Sequence, residues 1–397
     1  MPTPSAPPNP LRCFAVTAPG LESIAAAELA ALGVPRQALR PETGGVEWTG
    51  DARSLYAANL HLRTASRVLV RVAEFRATAF WELERRARPL PWEQWIPKGA
   101  AVDVRATCRK SRLYHSDAVA ERVVDAIAKR TGGIARVASV EEDEPAADDA
   151  GDGEGTGGQL VVARLARDVL TLSVDASGEL LHRRGYRQAV ARAPLRETIA
   201  AAMLLAIGWH GTEALIDPMC GSGTIPIEGA LIARAIAPGL ARAERGAFAF
   251  LRWPTADHAT WTALVDAARA AVRPSADVPI VAADRDAGAV AATRANAERA
   301  GVLDDLTIER RPLSATSAPA PRGWVVSNPP YGVRIGEERD VRDLWTQLGE
   351  VVRALDGAWS AALLSPHPAL DRATRLSLAE RFRTQNGGLG VRLLASR

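Results

Sequence analysis

Hydrophobic positions along the chain follow two periods, one of two residues and one of 3.6, and their order predicts the elements. Residues 13–16 read as a short strand, and Pro19-Gly20 turns the chain into a helix. Leu21, Ile24, Leu29 and Leu32 stripe one face of that helix, and Gly33 ends it. A strand at 46–48, a helix at 54–62 and a strand at 66–72 follow, the last with Arg67 and Arg71 on its polar side. Strand–helix–strand–helix–strand in so short a span predicts a small ferredoxin-like α+β unit. A strand at 101–106, a helix at 117–130 with Val119, Val123, Val124 and Ile127 on one face, and a hairpin of 160–165 with 169–174 form a second group.

From residue 197 onward the alternation is regular. A helix at 197–207 precedes strands at 214–217, 279–284, 306–310, 324–327 and 360–365, with helices between them and a last strand ending at 394. The helix after Asp286 is capped by that residue and closed by Gly301. This is the pattern of a parallel sheet covered on both faces. The fold class is therefore α/β, preceded by α+β material.

Composition narrows the picture. Length and a hydrophobic content of 47% suit two or three domains with real cores. No apolar run reaches the length of a membrane span, and no secretory signal is present, which predicts a cytoplasmic protein without a membrane partner. Cys13, Cys108 and Cys220 are far apart and lack metal-site spacing, so neither a metal nor a disulfide framework is expected. The net charge of +3 hides an asymmetry: residues 141–158 hold eight acidic side chains and no Lys or Arg, so without them the balance is +11. That excess is compatible with a polyanionic partner. The acidic, glycine-rich stretch itself predicts a disordered insertion, as the five prolines of residues 1–10 predict a disordered tail.

Candidate chemistry concentrates at predicted strand ends. Asp217 ends one strand and leads into Pro218-Met219-Cys220-Gly221-Ser222-Gly223-Thr224, a glycine turn opening a helix. Such a turn lets backbone approach a ligand closely, with helix N–H groups facing it. Asp284 ends a second strand and Asn328 a third, and the latter begins Asn328-Pro329-Pro330-Tyr331-Gly332. Each piece alone has a plain structural reading, as a βα turn or a strand cap. Together they place three polar strand ends where a doubly wound sheet binds ligands. Cys220 reads as a packing or cofactor contact rather than a nucleophile. Two basic stretches stand out: Arg109, Lys110 and Arg112 with Tyr114, and Arg183, Arg184 and Arg187 around Tyr186. The first can contact phosphates and stack on a base, or be a solvated turn. The second is a path for RNA or an interdomain salt-bridge seam. Trp81, Trp92 and Trp95 read more readily as core than as base-stacking groups.

The ordered set of Asp217, Asp284 and Asn328-Pro329-Pro330-Tyr331 resembles the class I S-adenosylmethionine-dependent methyltransferases that methylate an exocyclic amino group. With His182-Arg183-Arg184-Gly185-Tyr186-Arg187, Ala193-Pro194-Leu195-Arg196-Glu197-Thr198, Ile227-Glu228 and Ala237-Pro238-Gly239-Leu240, nearly the whole chain resembles the THUMP-containing guanine-N2 RNA methyltransferases, the RlmL type above all. The resemblance implies a tail at 1–10, a ferredoxin-like domain at 11–72, a THUMP RNA-binding domain at 73–180, a basic linker at 181–195 and a Rossmann-like class I methyltransferase domain at 196–397. It implies that residues 217–224 cradle the methionine part of S-adenosyl-L-methionine, that Asp284 with Arg285 meets the ribose, and that Glu197 and Thr198 close over the cofactor. It makes Asn328, Pro329, Pro330 and Tyr331 catalytic, and it makes Arg109, Lys110, Arg112, Tyr114, Arg183, Arg184, Tyr186 and Arg187 RNA contacts. Pro312 departs from the pattern, standing where the family carries an acidic residue for the adenine amino group. That leaves adenine to backbone groups or Glu309.

The implied activity is methyl transfer to guanine N2 in 23S ribosomal RNA by a monomer. The same chemistry on transfer RNA is the nearest alternative. Adenine-N6 methylation of DNA shares Asn-Pro-Pro-Tyr but not the basic module at 109–116. A catalytically silent RNA-binding assembly factor is the alternative of another class. The ribosomal family also occurs fused to a second methyltransferase, which is not expected beyond Arg397.

Overall fold

A computed structural model describes residues 10–132, 135–137, 158–188, 195–331, 338–355 and 358–396. All of the expected tail but Pro10, most of the acidic insertion, Ala193-Pro194 and Gly332 lie outside them. The chain forms two compact units: Met1–Thr17, Ala25–Leu181 and Arg242–Asp266 in the first, and Ala18–Ile24, His182–Ala241 and Ala267–Arg397 in the second.

In chain order the first group of elements is β1 (Leu11–Thr17), α1 (Glu22–Ala31), β2 (Arg40–Glu42), β3 (Gly45–Gly50), α2 (Ala52–His61), β4 (Ala65–Arg76), α3 (Phe80–Ala87), β5 (Val102–Arg109), α4 (Ser116–Thr131), β6 (Ala135–Val137), β7 (Gln159–Ala166) and β8 (Val169–Asp175). They build one sheet of eight strands in the order β2-β3-β1-β4-β8-β7-β5-β6. Sequence divides this region into two domains, yet β4 pairs antiparallel with β8 along its length, so one hydrogen-bonded sheet runs through both. Arg67 and Arg71 are less solvated than their alternation suggests. Arg67 pairs with the buried Asp175, and Arg71 pairs with Glu42 and Glu47. Segment 242–266, which the sequence assigns to the methyltransferase domain, clusters with this unit instead. Its aromatic residues explain why: Phe250 stacks on Tyr56 at 4.3 Å, and the Trp253 indole N–H donates to Gln159 Oε1 at 2.8 Å.

The remaining elements are α5 (Glu197–Ala206), β9 (Ala214–Asp217), α6 (Thr224–Ala233), α7 (Leu240–Glu244), α8 (His258–Ala270), β10 (Ile280–Asp284), α9 (Ala287–Arg299), β11 (Thr307–Arg310), β12 (Gly323–Ser327), α10 (Glu338–Ala354), β13 (Trp359–Ser365), α11 (Pro368–Ala373), β14 (Leu378–Asn386) and β15 (Leu389–Ser396). Seven strands order as β11-β10-β9-β12-β13-β15-β14, the first five mutually parallel and β15 antiparallel to both of its neighbours, β13 and β14. Strand residues alternate between two cores: Leu215 and Val326 enter one, Ile216 and Val325 the other. This is the period of two that puts successive side chains on opposite faces. The sequence missed β14. Its exposed Glu380, Arg381 and Arg383 break up the apolar signal, and the edge of the sheet is β14 rather than β15. From β9 the chain steps outward to β10 and β11, then returns to place β12 on the other side. The carboxyl ends of β9 and β12 thus flank the switch point, where the crevice of such a sheet opens. Among the described residues no helix is long and apolar enough to cross a membrane.

Candidate active site

Three strand ends build the site in the second unit. Asp217 is buried at the end of β9, accepting from the Met219 N–H at 3.2 Å and from the Ser327 hydroxyl at 2.7 Å. The latter bond ties β9 to β12 across 110 residues of sequence. Burial raises the Asp217 carboxyl to about 7, against the opposing hydrogen bonds from Ser327 and Met219. Asp284, at the end of β10, accepts from the Gly221 N–H at 3.0 Å with one oxygen and from the Asp286 N–H at 2.9 Å with the other. It therefore braces the glycine turn, and each oxygen keeps a further lone pair for a ligand.

The turn is held from behind by α9. The Thr293 hydroxyl donates to the Gly221 carbonyl at 2.9 Å, and the Asn296 amide donates to the Ser222 carbonyl at 2.9 Å. The two glycines have different tasks. At Gly223, with φ +84°, an added Cβ would sit 2.6 Å from Thr293 Cγ2, so the residue is required by packing. Gly221, with φ +55°, faces space clear of atoms of the described residues within 4 Å, so the turn presents bare backbone to that space. Cys220 is buried with its sulfur 3.5 Å from the Thr293 hydroxyl, and burial raises its thiol well above the ordinary value. A thiol so protonated is a packing group, not a nucleophile.

Asn328 follows β12. Its Oδ1 is buried and has no hydrogen-bond partner among the described residues, which is uncommon for a buried amide oxygen. The turn after it is anchored by the Trp345 indole N–H, donating to the Pro330 carbonyl at 3.1 Å. The Asn386 amide reaches the Tyr331 hydroxyl at 3.5 Å. Pro312 is exposed after β11, where Glu309 pairs with Arg311 at 2.9 Å. Arg285 is exposed beside Asp284, and the half-open Met219, buried Ser222 and buried Thr224 follow the turn into α6. Pro218 is buried between Asp217 and Met219.

The basic connector turns inward: of the two readings, an RNA path and a salt-bridge seam, Arg184 and Arg187 follow the second, with ion-pair partners inside the second unit. Arg184 is buried, its Nε 3.3 Å from Glu228 Oε1, and the buried Tyr186 hydroxyl donates to the same oxygen at 3.1 Å. Arg187 pairs with the buried Glu197 at 3.0 Å. Burial, then the surrounding guanidiniums, lower His182 to about 3, so it is neutral. The guanidiniums turn inward because Glu197 and Glu228, both buried, need counter-charge. Of the four RNA contacts expected here, Arg183 alone is exposed on its strand of chain. Thr198 is buried beside Glu197 at the start of α5. In the first unit Arg109, Lys110, Arg112 and Tyr114 are exposed, as an RNA-facing loop requires.

Ser327, Thr293, Asn296 and Trp345 escape the sequence reading. Ser327 is signalled only by its place beside Asn328. Thr293 and Asn296 share a helix face at i, i+3, a spacing that needs the partner turn to have meaning.

Comparison with known proteins agrees with this geometry. Residues 184–395 match the RMKL-like methyltransferase domain family, residues 12–69 the RlmL ferredoxin-like domain and residues 77–147 the THUMP domain. A Synechocystis protein provisionally named an RNA methyltransferase is 34% identical over 96% of this chain and 95% of its own length. The ribosomal RNA large subunit methyltransferase K/L of Syntrophotalea carbinolica is 35% identical over 97% of this chain. The chain spans 53% of that relative's length. The crystal structure of SMU.472, provisionally named a methyltransferase and complexed with SAH, matches with a TM-score of 0.83 and 28% identity, covering 98% of both chains. The residues fit S-adenosylmethionine, the cofactor of such enzymes: open space beside Gly221 admits a ligand against bare backbone, and Asp284 keeps lone pairs for a ligand's hydroxyl donors. The chain belongs to the RMKL-like family, the S-adenosylmethionine-dependent RNA methyltransferases of the RlmKL type.

Proposed function

We propose that this protein methylates the exocyclic N2 of a guanosine in RNA, with 23S ribosomal RNA as substrate. One observation carries the chemistry: the buried Asn328 Oδ1 that accepts nothing from the described residues. A buried acceptor left open costs about 1–3 kcal/mol unless a ligand fills it, and an amino N–H is the donor that fits. The guanine N2 lone pair is delocalised into the ring and weakly nucleophilic. Asn328 Oδ1 and the Pro329 carbonyl each accept one N–H, holding the nitrogen pyramidal with its lone pair directed at the methyl donor. Positioning of this kind is worth up to about 7–11 kcal/mol, and the aligned dipoles stabilise the ammonium that develops. Tyr331 stacks on the base, which leaves its helix to enter the site.

S-adenosylmethionine supplies an electrophilic methyl group on a sulfonium. Residues 217–224 hold its methionine part, and Asp284, beside Arg285, its ribose hydroxyls through charge-assisted bonds. Glu197 and Thr198 border the cofactor, and backbone after β11 meets the adenine in place of the side chain that Pro312 lacks. Arg109, Lys110, Arg112 and Tyr114 grip RNA in the first unit. The ribosomal substrate is supported by the similarity to the K/L enzyme and by the RlmL-type first domain.

Methyl transfer from labelled S-adenosylmethionine to unmodified 23S RNA and to bulk transfer RNA, followed by nucleoside digestion, tests this reading. We expect N2-methylguanosine from 23S RNA. Label confined to transfer RNA would overturn the substrate, and no label in either would favour the silent assembly factor.

A further inference from the structure

We infer that Trp81 and Tyr114 form a two-ring stacking surface in the first unit that takes unpaired bases of an RNA strand. The inference rests on the RNA reading above. Sequence groups Trp81 with Trp92 and Trp95, and the structure separates them. Trp92 and Trp95 are buried, Trp92 with its indole N–H on the Ala87 carbonyl at 2.9 Å. Trp81 is 59% exposed and Tyr114 is 70% exposed. A single exposed ring is ordinary on a protein surface, but two on segments fastened to one turn, beside its exposed cations, make a patch that suits a ligand. Each ring has a polar neighbour: the Arg85 guanidinium lies 4.8 Å from the Trp81 ring centroid, and His115 tilts against Tyr114 at 4.1 Å.

Hydrogen bonds fasten the segments that carry the two rings to one end of the sheet. The Arg167-Asp168 turn between β7 and β8 holds both segments. Ala77 N–H, just before α3, donates to the Asp168 carbonyl at 2.9 Å. Arg112 N–H, in the loop before α4, donates to Asp168 Oδ1 at 2.7 Å, and Asp168 N–H donates to Ser111 Oγ at 3.0 Å. Both turn residues sit at positive φ, 51° and 65°, a strained conformation for residues other than glycine. Arg109, Lys110, Arg112 and Arg167 are exposed around this turn. Of the acids nearby, Asp168 accepts from Arg112 N–H and Glu82 from Thr78 N–H at 2.8 Å, while Asp117 is exposed in the first turn of α4. Cations beside open rings match a strand whose phosphates are outside and whose bases are splayed. A duplex offers the same phosphates but hides its base faces, and would leave both rings idle. The partner is a single-stranded loop, bulge or end.

Equilibrium binding of the full chain to a short unpaired oligoribonucleotide and to a blunt RNA duplex tests this, with Trp81→Ala, Tyr114→Ala and Trp81→Phe. Each alanine variant is expected to weaken unpaired-strand binding about tenfold, with duplex binding and melting temperature unchanged. Trp81→Phe restores most of the loss, and on 23S RNA the alanine variants raise KM while kcat holds. Unchanged affinity in both alanine variants, or an equal loss on the duplex, would overturn the surface while wild-type methylation of RNA still stood. A wild type that neither binds nor methylates RNA would overturn the RNA reading with it.

Discussion

Two buried carboxyl groups in the catalytic unit carry opposite instructions. Asp217 titrates near 7 in the fold and near 3.8 when free, so folding favours its protonated form. The stability it contributes is complete below about pH 4 and is lost as pH rises through about 7. The cofactor-free protein should therefore lose stability across that window, on the order of a few kcal/mol from this residue, and Asp217→Asn should flatten that part of the profile. Melting temperatures of both proteins from pH 5 to pH 8 measure it, and parallel profiles would contradict the assignment. Glu228 instead stays paired, with Arg184 at 3.3 Å inside the protein. Arg184→Met leaves Glu228 buried with the Tyr186 hydroxyl but without its cation and should cost about 3–5 kcal/mol, read by urea unfolding. A variant that kept its stability but bound RNA more weakly would return Arg184 to the surface role its sequence suggested.

At the scale of elements, the β9-to-α6 turn separates packing from ligand approach. Gly223→Ala forces a methyl into Thr293 and should lower the melting temperature clearly. Gly221→Ala meets no atom and should cost only about 1 kcal/mol of backbone strain, yet should weaken S-adenosylmethionine binding by filling the open side of the turn. Calorimetry of both variants decides the matter, and equal effects on stability and affinity in the two would contradict it. These elements were legible because local chemistry wrote them: a strand of Ala214-Leu215-Ile216 can only be buried, and glycines at 221 and 223 can only be a turn. Asp284 and Asn328 were legible for the same reason, each closing an apolar strand. What the chain hides is non-local. The inward turn of Arg184, Tyr186 and Arg187 depends on Glu197 and Glu228, residues from other helices whose burial no period reveals. Strand β14 was hidden by its polar outer face.

Over the whole molecule, the family matches divide the first unit into a ferredoxin-like and a THUMP part, while its strands form one sheet through β4 and β8. The segment 242–266 joins that unit from far along the sequence, because Tyr56 and Phe250 need each other's faces. Neither fact is visible to a reading that moves along the chain, since both rest on pairings between distant segments. The candidate active site, by contrast, is built from strand ends of the second unit, and the proposed chemistry turns on one acceptor, Asn328 Oδ1, at the end of β12. The most direct measurement is single-turnover methyl transfer to RNA by Asn328→Ala, paired with titration of S-adenosylmethionine onto the same variant. The account predicts transfer reduced at least about a hundredfold, the scale of losing one pre-organised polar group, with cofactor affinity unchanged. Transfer at the wild-type rate, or cofactor binding lost together with transfer, would contradict it.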